Sequence, residues 1–408
     1  MTGTVVAIFA IVYLGMILGG LPFAQLDRTG VALLGAIALV GLEILTPEEA
    51  ARSIHLPTLL LLFSFMVVSA QMRLGGFYAW VTLRIASLPF AAAPLLAAMM
   101  AAVAALSAVF SNDVVCLAVA PVLCEICVRR GLDPVPYLLG LACAANVGSA
   151  ATLIGNPQNM LIGGVLRMDF ARYLAAAIVP VVLGLAAAWA WIAWRQRARW
   201  QAPATAALSA ERRADEPVLD RWQTAKGLAV VTALLAVFLF TDWPREVAAL
   251  IGAGILMTSR RLHSNKMLGL VDWELLILFI GLFVVNHAFA RTGLSADAMR
   301  QLTDAGFPLA APAPLFVATF ALSNVVSNVP AVMLLLPAAS QPWSGTLLAL
   351  VSTLAGNLLI VGSIANIIVV DAAKRRGIFI DWKRHAATGV PVTLATLAIT
   401  AAWLAWRI

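Results

Sequence analysis

Charge is what this chain has least of. Of its 408 residues, 12% are charged and 62% apolar, with a mean hydropathy of +0.94, whereas a soluble domain carries about 25% charged residues. Half the charge needed to wet a globular surface is missing, which excludes a soluble protein. Cysteine is sparse too: the four, at 116, 124, 127 and 143, all fall inside apolar stretches, so no disulfide framework is indicated. Cys124 and Cys127 have the spacing of a metal or redox pair, but no second pair or histidine accompanies them, and they read as small buried residues. A membrane-embedded enzyme needs a nucleophile–base pair or a metal cluster, and with no H-E-x-x-H or acid-rich motif present it is not expected. The 27 basic and 20 acidic residues leave +7, an excess to be read against a membrane before a nucleic acid; no nucleic-acid partner is expected.

What is abundant is apolar sequence long enough to cross lipid. A helix spanning ~30 Å of hydrocarbon needs about 20 apolar residues. Stretches 173–194 and 386–406 carry no charge, and further candidates are 4–24, 29–45, 56–72, 91–110, 114–127, 227–241, 246–258 and 275–290. About ten crossings follow, which makes a multi-pass protein of the cell (inner or plasma) membrane. The first begins Met1-Thr-Gly-Thr, with no basic n-region or small-residue cleavage site, and reads as a retained helix. Trp189, Trp191, Trp194 and Trp200 gather at the end of one span, and Trp403 and Trp406 end the last, as rings at headgroup depth do. The one long polar stretch, 195–226, carries Arg195, Arg197, Arg199, Arg212, Arg213, Arg221 and Lys226 against four acids. By the positive-inside rule it is a cytoplasmic linker. Its interspersed acids and lack of spaced aromatics favour that topological role over binding of lipid or RNA.

The chain repeats itself at an offset near 216. Arg28 with Val31–Ala36 is echoed by Arg245 with Val247–Ala253, Ser111-Asn112 by Ser327-Asn328, and Ile154-Gly155-Asn-Pro-Gln-Asn159 by Val361-Gly362-Ser-Ile-Ala-Asn366. The hexapeptides Ala-Trp-Ile-Ala-Trp-Arg (190–195) and Ala-Trp-Leu-Ala-Trp-Arg (402–407) close the two copies. The organisation expected is a first transmembrane repeat at 1–195, a linker at 196–226 and a second repeat at 227–408. Duplicated halves recur in secondary transporters, with the substrate at the repeat interface near mid-membrane. An odd number of crossings per half makes the halves inverted.

Three charge deserts hold the densest small polar clusters. Between Arg84 and Glu125 the only charge is Asp113, and 134–166 and 305–370 have none. In them sit Ser111-Asn112-Asp113, Asn146, Gly148-Ser149, Thr152, Gly155-Asn156-Pro157-Gln158-Asn159, Ser323-Asn324, Ser327-Asn328, Asn357, Gly362-Ser363 and Asn366. Ser, Asn, Gly and Pro break or cap helices, and unpaired backbone at membrane depth is tolerated only where protein or a water-filled cavity satisfies it. A helix restarting after such a break points free N–H groups and its positive dipole end outward. Two breaks per half, facing one another, make a cavity for an anion or a polyhydroxylated solute. The candidate substrate residues are therefore Ser111, Asn112, Asn146, Thr152, Asn156, Gln158, Asn159, Ser327, Asn328, Asn357, Ser363 and Asn366.

Asp113 stands apart, because an ionised acid at the centre of a span costs ~2.5–3.5 kcal/mol on insertion scales. It is expected to carry the coupling, either as a proton carrier or, with neighbouring carbonyls and hydroxyls, as a sodium ligand. Its repeat partner, Val329, does not titrate. His287, beside Asn286 in an apolar span, reads as a packed histidine rather than a proton relay.

The paired Ser-Asn motifs, the two Gly-centred breaks and the two-repeat plan resemble the ion transporter superfamily over nearly the whole chain. Ser111-Asn-Asp-Val-Val-Cys-Leu117, with Asn146 and Gly155-Asn-Pro-Gln-Asn159-Met-Leu-Ile-Gly163, looks most like the arsenite-permease and anion-permease branch, related to the dicarboxylate/sodium symporters. The resemblance implies an all-α membrane protein of two inverted repeats, each of about five transmembrane helices, with re-entrant hairpins and broken helices, often as a homodimer. Ser111-Asn112 and Ser327-Asn328 would be hairpin tips. The resemblance also implies sodium as the one cofactor-like ion, near Ser111, Asn112, Gly155, Ser327, Asn328 and Gly362. The third tip position, threonine in the dicarboxylate branch, is here Asp113 or Val329. An acid beside the site disfavours a dicarboxylate and suits a weakly acidic hydroxylated solute. The expected function is secondary transport of a small anion or metalloid hydroxyacid, coupled to protons or sodium; the alternative is a sodium/proton antiporter exchanging at Asp113.

Overall fold

A computed structural model describes residues 1–21, 25–197, 200, 219–259 and 261–407. Most of the basic stretch 195–226, with Arg199, Arg212 and Arg213, lies outside the described residues. Those described form twenty α-helices and one two-stranded ribbon, Gly20–Leu21 with Leu26–Asp27. The first ten helices are α1 (Thr2–Leu18), α2 (Arg28–Gly41), α3 (Pro47–Ser53), α4 (Leu56–Leu74), α5 (Phe77–Ala86), α6 (Ala92–Val109), α7 (Asn112–Arg129), α8 (Pro134–Ser149), α9 (Pro157–Val165) and α10 (Phe170–Gln196). The second ten follow in the same order: α11 (Arg221–Phe240), α12 (Arg245–Met257), α13 (Ser264–Leu268), α14 (Trp273–Arg291), α15 (Leu294–Asp304), α16 (Pro312–Val326), α17 (Asn328–Leu335), α18 (Ser344–Ala355), α19 (Ile364–Lys374) and α20 (Trp382–Arg407).

Local chemistry sets many of these boundaries. Thr46 and Glu49 form a reciprocal capping box at α3, and the side chains of Asp133, Asp169, Asp220 and Asp272 accept first-turn N–H groups of α8, α10, α11 and α14, satisfying donors a helix start leaves orphaned. Pro134, Pro157 and Pro312 sit in first turns, where a missing N–H costs nothing. Every residue of α8 is buried, as expected for a helix apolar all round. Its counterpart α18 is buried at all but one of its twelve positions. These two form the centre of the molecule.

The halves are inverted, as the contact between α10 and α20 shows. Trp191, near the end of α10, donates from Nε1 to the carbonyl of Ala387, near the start of α20 (3.1 Å), and Trp403, near the end of α20, donates to Ala176, near the start of α10 (2.8 Å). Matched helices of the two halves thus run antiparallel. At their crossing, a Cβ on Gly184 would lie 3.0 Å from Cγ2 of Thr396, so glycine sets the approach. The same exchange recurs where α2 packs on α14 and α4 on α12.

Among the described residues, six helices (α4, α6, α10, α11, α14 and α20) are long and apolar enough to cross a membrane. That is fewer than ten full-length crossings because several apolar segments are shorter helices or are divided: α8 from α9, α16 from α17 and α18 from α19.

Candidate substrate-binding site

Each half carries two interruptions. In the first, Phe110 and Ser111 separate α6 from α7, and residues 150–156 separate α8 from α9. The two are pinned together by the backbone N–H of Asn112, which donates to the carbonyl of Gly155 (3.1 Å). A Cβ on Gly155 would lie 2.3 Å from the Ser149 carbonyl oxygen, so only glycine allows this turn. In the second half, α16 and α17 meet at Ser327, whose φ of +76° is a strained value for a residue with a side chain. Residues 356–363 separate α18 from α19.

Asn146, on α8, is the hub joining these breaks. Its Nδ2 donates to Oδ1 of Asn357 (2.9 Å) and of Asn366 (3.0 Å), while its Oδ1 accepts from Asn112 Nδ2 (3.2 Å) and Ser363 Oγ (2.9 Å). A second hub, Thr353 on α18, mirrors it. Its Oγ1 accepts from Asn156 and Gln158 (3.2 Å each) and donates to Asn159 Oδ1 (3.2 Å). The repeats reciprocate: adding 207 to 146, 156 and 159 gives 353, 363 and 366. Each half's buried helix therefore reaches into the break of the other.

Several bonds fix the breaks themselves. Asn156 caps α9 through the Asn159 N–H (2.9 Å) and donates to Ser149 Oγ (3.0 Å). Asn159 Nδ2 donates to the Thr152 carbonyl (3.0 Å) and the Tyr173 hydroxyl (3.2 Å). Thr152 donates to the carbonyl of Ala108, and Tyr173 to that of Ala150 (2.7 Å).

Two backbone carbonyls determine which way the amides of the first hub face. Asn366 Nδ2 donates to Gly356 O (2.8 Å) and Leu359 O (3.0 Å), and carbonyls only accept. Its Oδ1 must then meet the Nδ2 of Asn146, whose Oδ1 in turn takes the Nδ2 of Asn112. The Oδ1 of Asn112 is left over. Asn324 is oriented likewise by the Phe320 carbonyl (3.0 Å). Of the buried polar atoms without a partner among the described residues, some, such as Gln71 Oε1 and the Tyr78 hydroxyl, lie elsewhere; those at the breaks are Oδ1 of Asn112, Asn324 and Asn328, the hydroxyls of Ser107 and Ser323, and Nδ2 of Asn357. They adjoin the same breaks: a Cβ on Gly356 would lie 3.2 Å from Asn328 Nδ2, and one on Gly362 3.4 Å from Asn324 Oδ1. Buried polar groups are nearly always bonded, so this set marks a place for a ligand or water.

The network brings together Asn112, Asn146, Thr152, Asn156, Gln158, Asn159, Asn357, Ser363 and Asn366, and Asn328 lies at its edge. The hydroxyls of Ser111 and Ser327 are outside it. So is Asp113, which is half-buried in the first turn of α7 and forms no hydrogen bond or ion pair with a described residue. His287 is half-buried, and no group of three or more His, Cys, Asp or Glu suited to a metal occurs among the described residues.

Sequence reasoning missed Thr353, Ser107, Tyr173 and His385. The repeat offsets already pointed to the first two: 207 carries Asn146 to Thr353, and 216 carries Ser107 to Ser323. His385, buried in α20, meets the Asn357 carbonyl through Nε2 (3.2 Å). Because a carbonyl only accepts, that nitrogen carries the hydrogen.

The family model described as "Citrate transporter" matches residues 9–346, most of the chain. The chain belongs to this family. It is a multi-pass membrane transporter of the anion-permease group and not an enzyme. The chain is similar to a "Silicon efflux transporter LSI3" of Oryza sativa subsp. japonica, 28% identical over 96% of this chain and 95% of that protein. A "Putative transporter arsB" of Dictyostelium discoideum is 22% identical over 92% of this chain and 86% of its own length. The solved YdaH transporter of Alcanivorax borkumensis shares the fold, with a TM-score of 0.56 and 15% identity over 100% of this chain and 98% of that one.

Proposed function

We propose that the chain is a secondary active transporter of a small, weakly acidic hydroxylated solute of the metalloid-hydroxide type, with Asp113 carrying the coupling proton. The observation that carries this reading is the chemistry of the unpaired atoms at the breaks. Three are carboxamide oxygens, two are hydroxyls and one is an amide donor. No lysine or arginine among the described residues bonds into the network. A polyanion such as citrate needs donors or cations around its carboxylates, whereas a neutral hydroxide brings its own O–H donors to waiting acceptors. A relative named for silicon efflux supports the same solute class. Asp113 is half-buried beside the first tip, one residue from Asn112, and is the only acid within the charge deserts.

The same unpaired oxygens suit sodium, a hard cation that takes oxygen ligands, so a sodium-coupled or sodium/proton antiport cycle is the second reading. Uptake into proteoliposomes, with sodium and pH gradients imposed separately and a panel of arsenous acid, silicic acid, phosphate and citrate, separates the two. The proposal expects accumulation of the neutral hydroxides under a pH gradient, lost in Asn112→Ala and in Asn328→Ala. Citrate accumulation, or sodium/proton exchange without any such solute, overturns it.

A further inference from the structure

A cavity of about 390 Å³ lies away from the interrupted helices, between the start of α11 and the end of α12. It is lined by Trp222, Gln223, Lys226, Thr258, Ser259 and Arg261. Its floor is built: Gln223, 2% exposed, donates to Ser259 Oγ (3.2 Å), which also accepts from the backbone N–H groups of Arg261 (3.3 Å) and Leu262 (3.2 Å). The serine hydroxyl proton is left to point elsewhere. Lys226 Nζ donates to the carbonyls of Thr258 (3.0 Å) and Leu256 (3.3 Å), and an ammonium has three hydrogens to give. Lys226 and Arg261 form no ion pair with a described residue, and Trp222 is 67% exposed beside them.

The charge pattern gives this mouth a side. Residues 257–271 carry Arg260, Arg261 and Lys266 and no acid, and α11 begins at the end of the basic 195–226 stretch. By the positive-inside rule both face the cytoplasm, where the leaflet is anionic. We propose that this cavity holds the phosphate of an anionic phospholipid headgroup between the Lys226 ammonium and the Arg261 guanidinium, with the Trp222 ring at headgroup depth. The cavity is an anchoring site independent of the transported solute.

The test uses the purified full chain in neutral detergent, titrated with short-chain phosphatidylglycerol, phosphatidylcholine of the same chain length, or inorganic phosphate, and followed by thermal unfolding and native mass spectrometry. Phosphatidylglycerol should bind and raise the melting temperature where the other two do not. The affinity should fall about fivefold in Arg261→Gln or Lys226→Gln and about thirtyfold in the double variant. Arg261→Gln removes no side-chain hydrogen bond to a described residue, so it remains readable if Lys226→Gln loosens the end of α12. Unchanged affinity in Arg261→Gln overturns the site. An equal effect of inorganic phosphate overturns the lipid as its occupant. Binding that emerges only after Glu211, Asp215 and Glu216 are neutralised makes the linker the occupant instead.

Discussion

Asn146→Leu tests the first hub, since it keeps the branched shape and heavy-atom count of the side chain and removes its four side-chain hydrogen bonds, to Asn112, Asn357, Ser363 and Asn366. Interhelical hydrogen bonds in bilayers average about 0.6 kcal/mol and reach ~1.7, so the loss should be about 2–3 kcal/mol. The orphaned partners press it toward the upper end. Asn366 keeps its two carbonyl acceptors, so its own position holds while the contact to the first half is lost. Combining Asn146→Leu with Asn366→Leu should give a double-mutant coupling of at least about 0.5 kcal/mol, because the two residues share one network. The assay is reversible unfolding in mixed micelles with increasing denaturing detergent. A loss below about 0.5 kcal/mol, or strict additivity of the pair, would show that Asn146 does not tie the two halves together.

Thr353→Val, nearly isosteric, removes the mirrored bonds to Asn156, Gln158 and Asn159 and should cost about 2 kcal/mol in the same assay. Gly148→Ala would place a Cβ 2.3 Å from Cα of Ala104; overpacking of this kind should cost ~1–3 kcal/mol and show as a reduced folded yield. Asp113→Asn should abolish accumulation driven by a pH gradient while leaving solute counterflow, measured with labelled solute in equilibrated vesicles. The backbone N–H of Thr46 first, and then Arg291 (2.8 Å), hold the exposed Glu49 carboxyl below its ordinary range. The stability those contacts lend is present above the usual carboxylate value of about 4.3 and is lost as pH falls through the lower folded value. Glu49→Gln should therefore lower the melting temperature at neutral pH and make no difference in strong acid.

The polar breaks were legible in the sequence because lipid tolerates so little: any Ser, Asn or Gly cluster in a charge desert has to be satisfied inside the protein. Duplication was legible in the closing hexapeptides, and the structure gives a physical reason for their likeness. Trp191 and Trp403 perform the same hydrogen bond from opposite ends of an antiparallel pair. What could not be read was which polar group faces which. Thr353 sits in Leu-Ala-Leu-Val-Ser-Thr-Leu-Ala, a stretch that reads as plain apolar helix. Its role depends on three side chains nearly 200 positions away. Tyr173 and His385 lie near the starts of long spans, and their partners, the carbonyls of Ala150 and Asn357, leave no mark on composition. Asp113 stood out for its charge, yet the structure leaves it beside the hydrogen-bonded network rather than in it.

In the proposed function, unpaired carboxamide oxygens receive a neutral hydroxylated solute between two antiparallel halves. Equilibrium titration of the detergent-solubilised protein with arsenous acid, silicic acid and citrate at neutral pH tests this most directly. The two hydroxides should compete for one site, weakened at least about tenfold, or 1.4 kcal/mol, when Asn112 and Asn328 are both alanine. Tight citrate binding with both hydroxides inert, or hydroxide binding untouched by that double substitution, would contradict it.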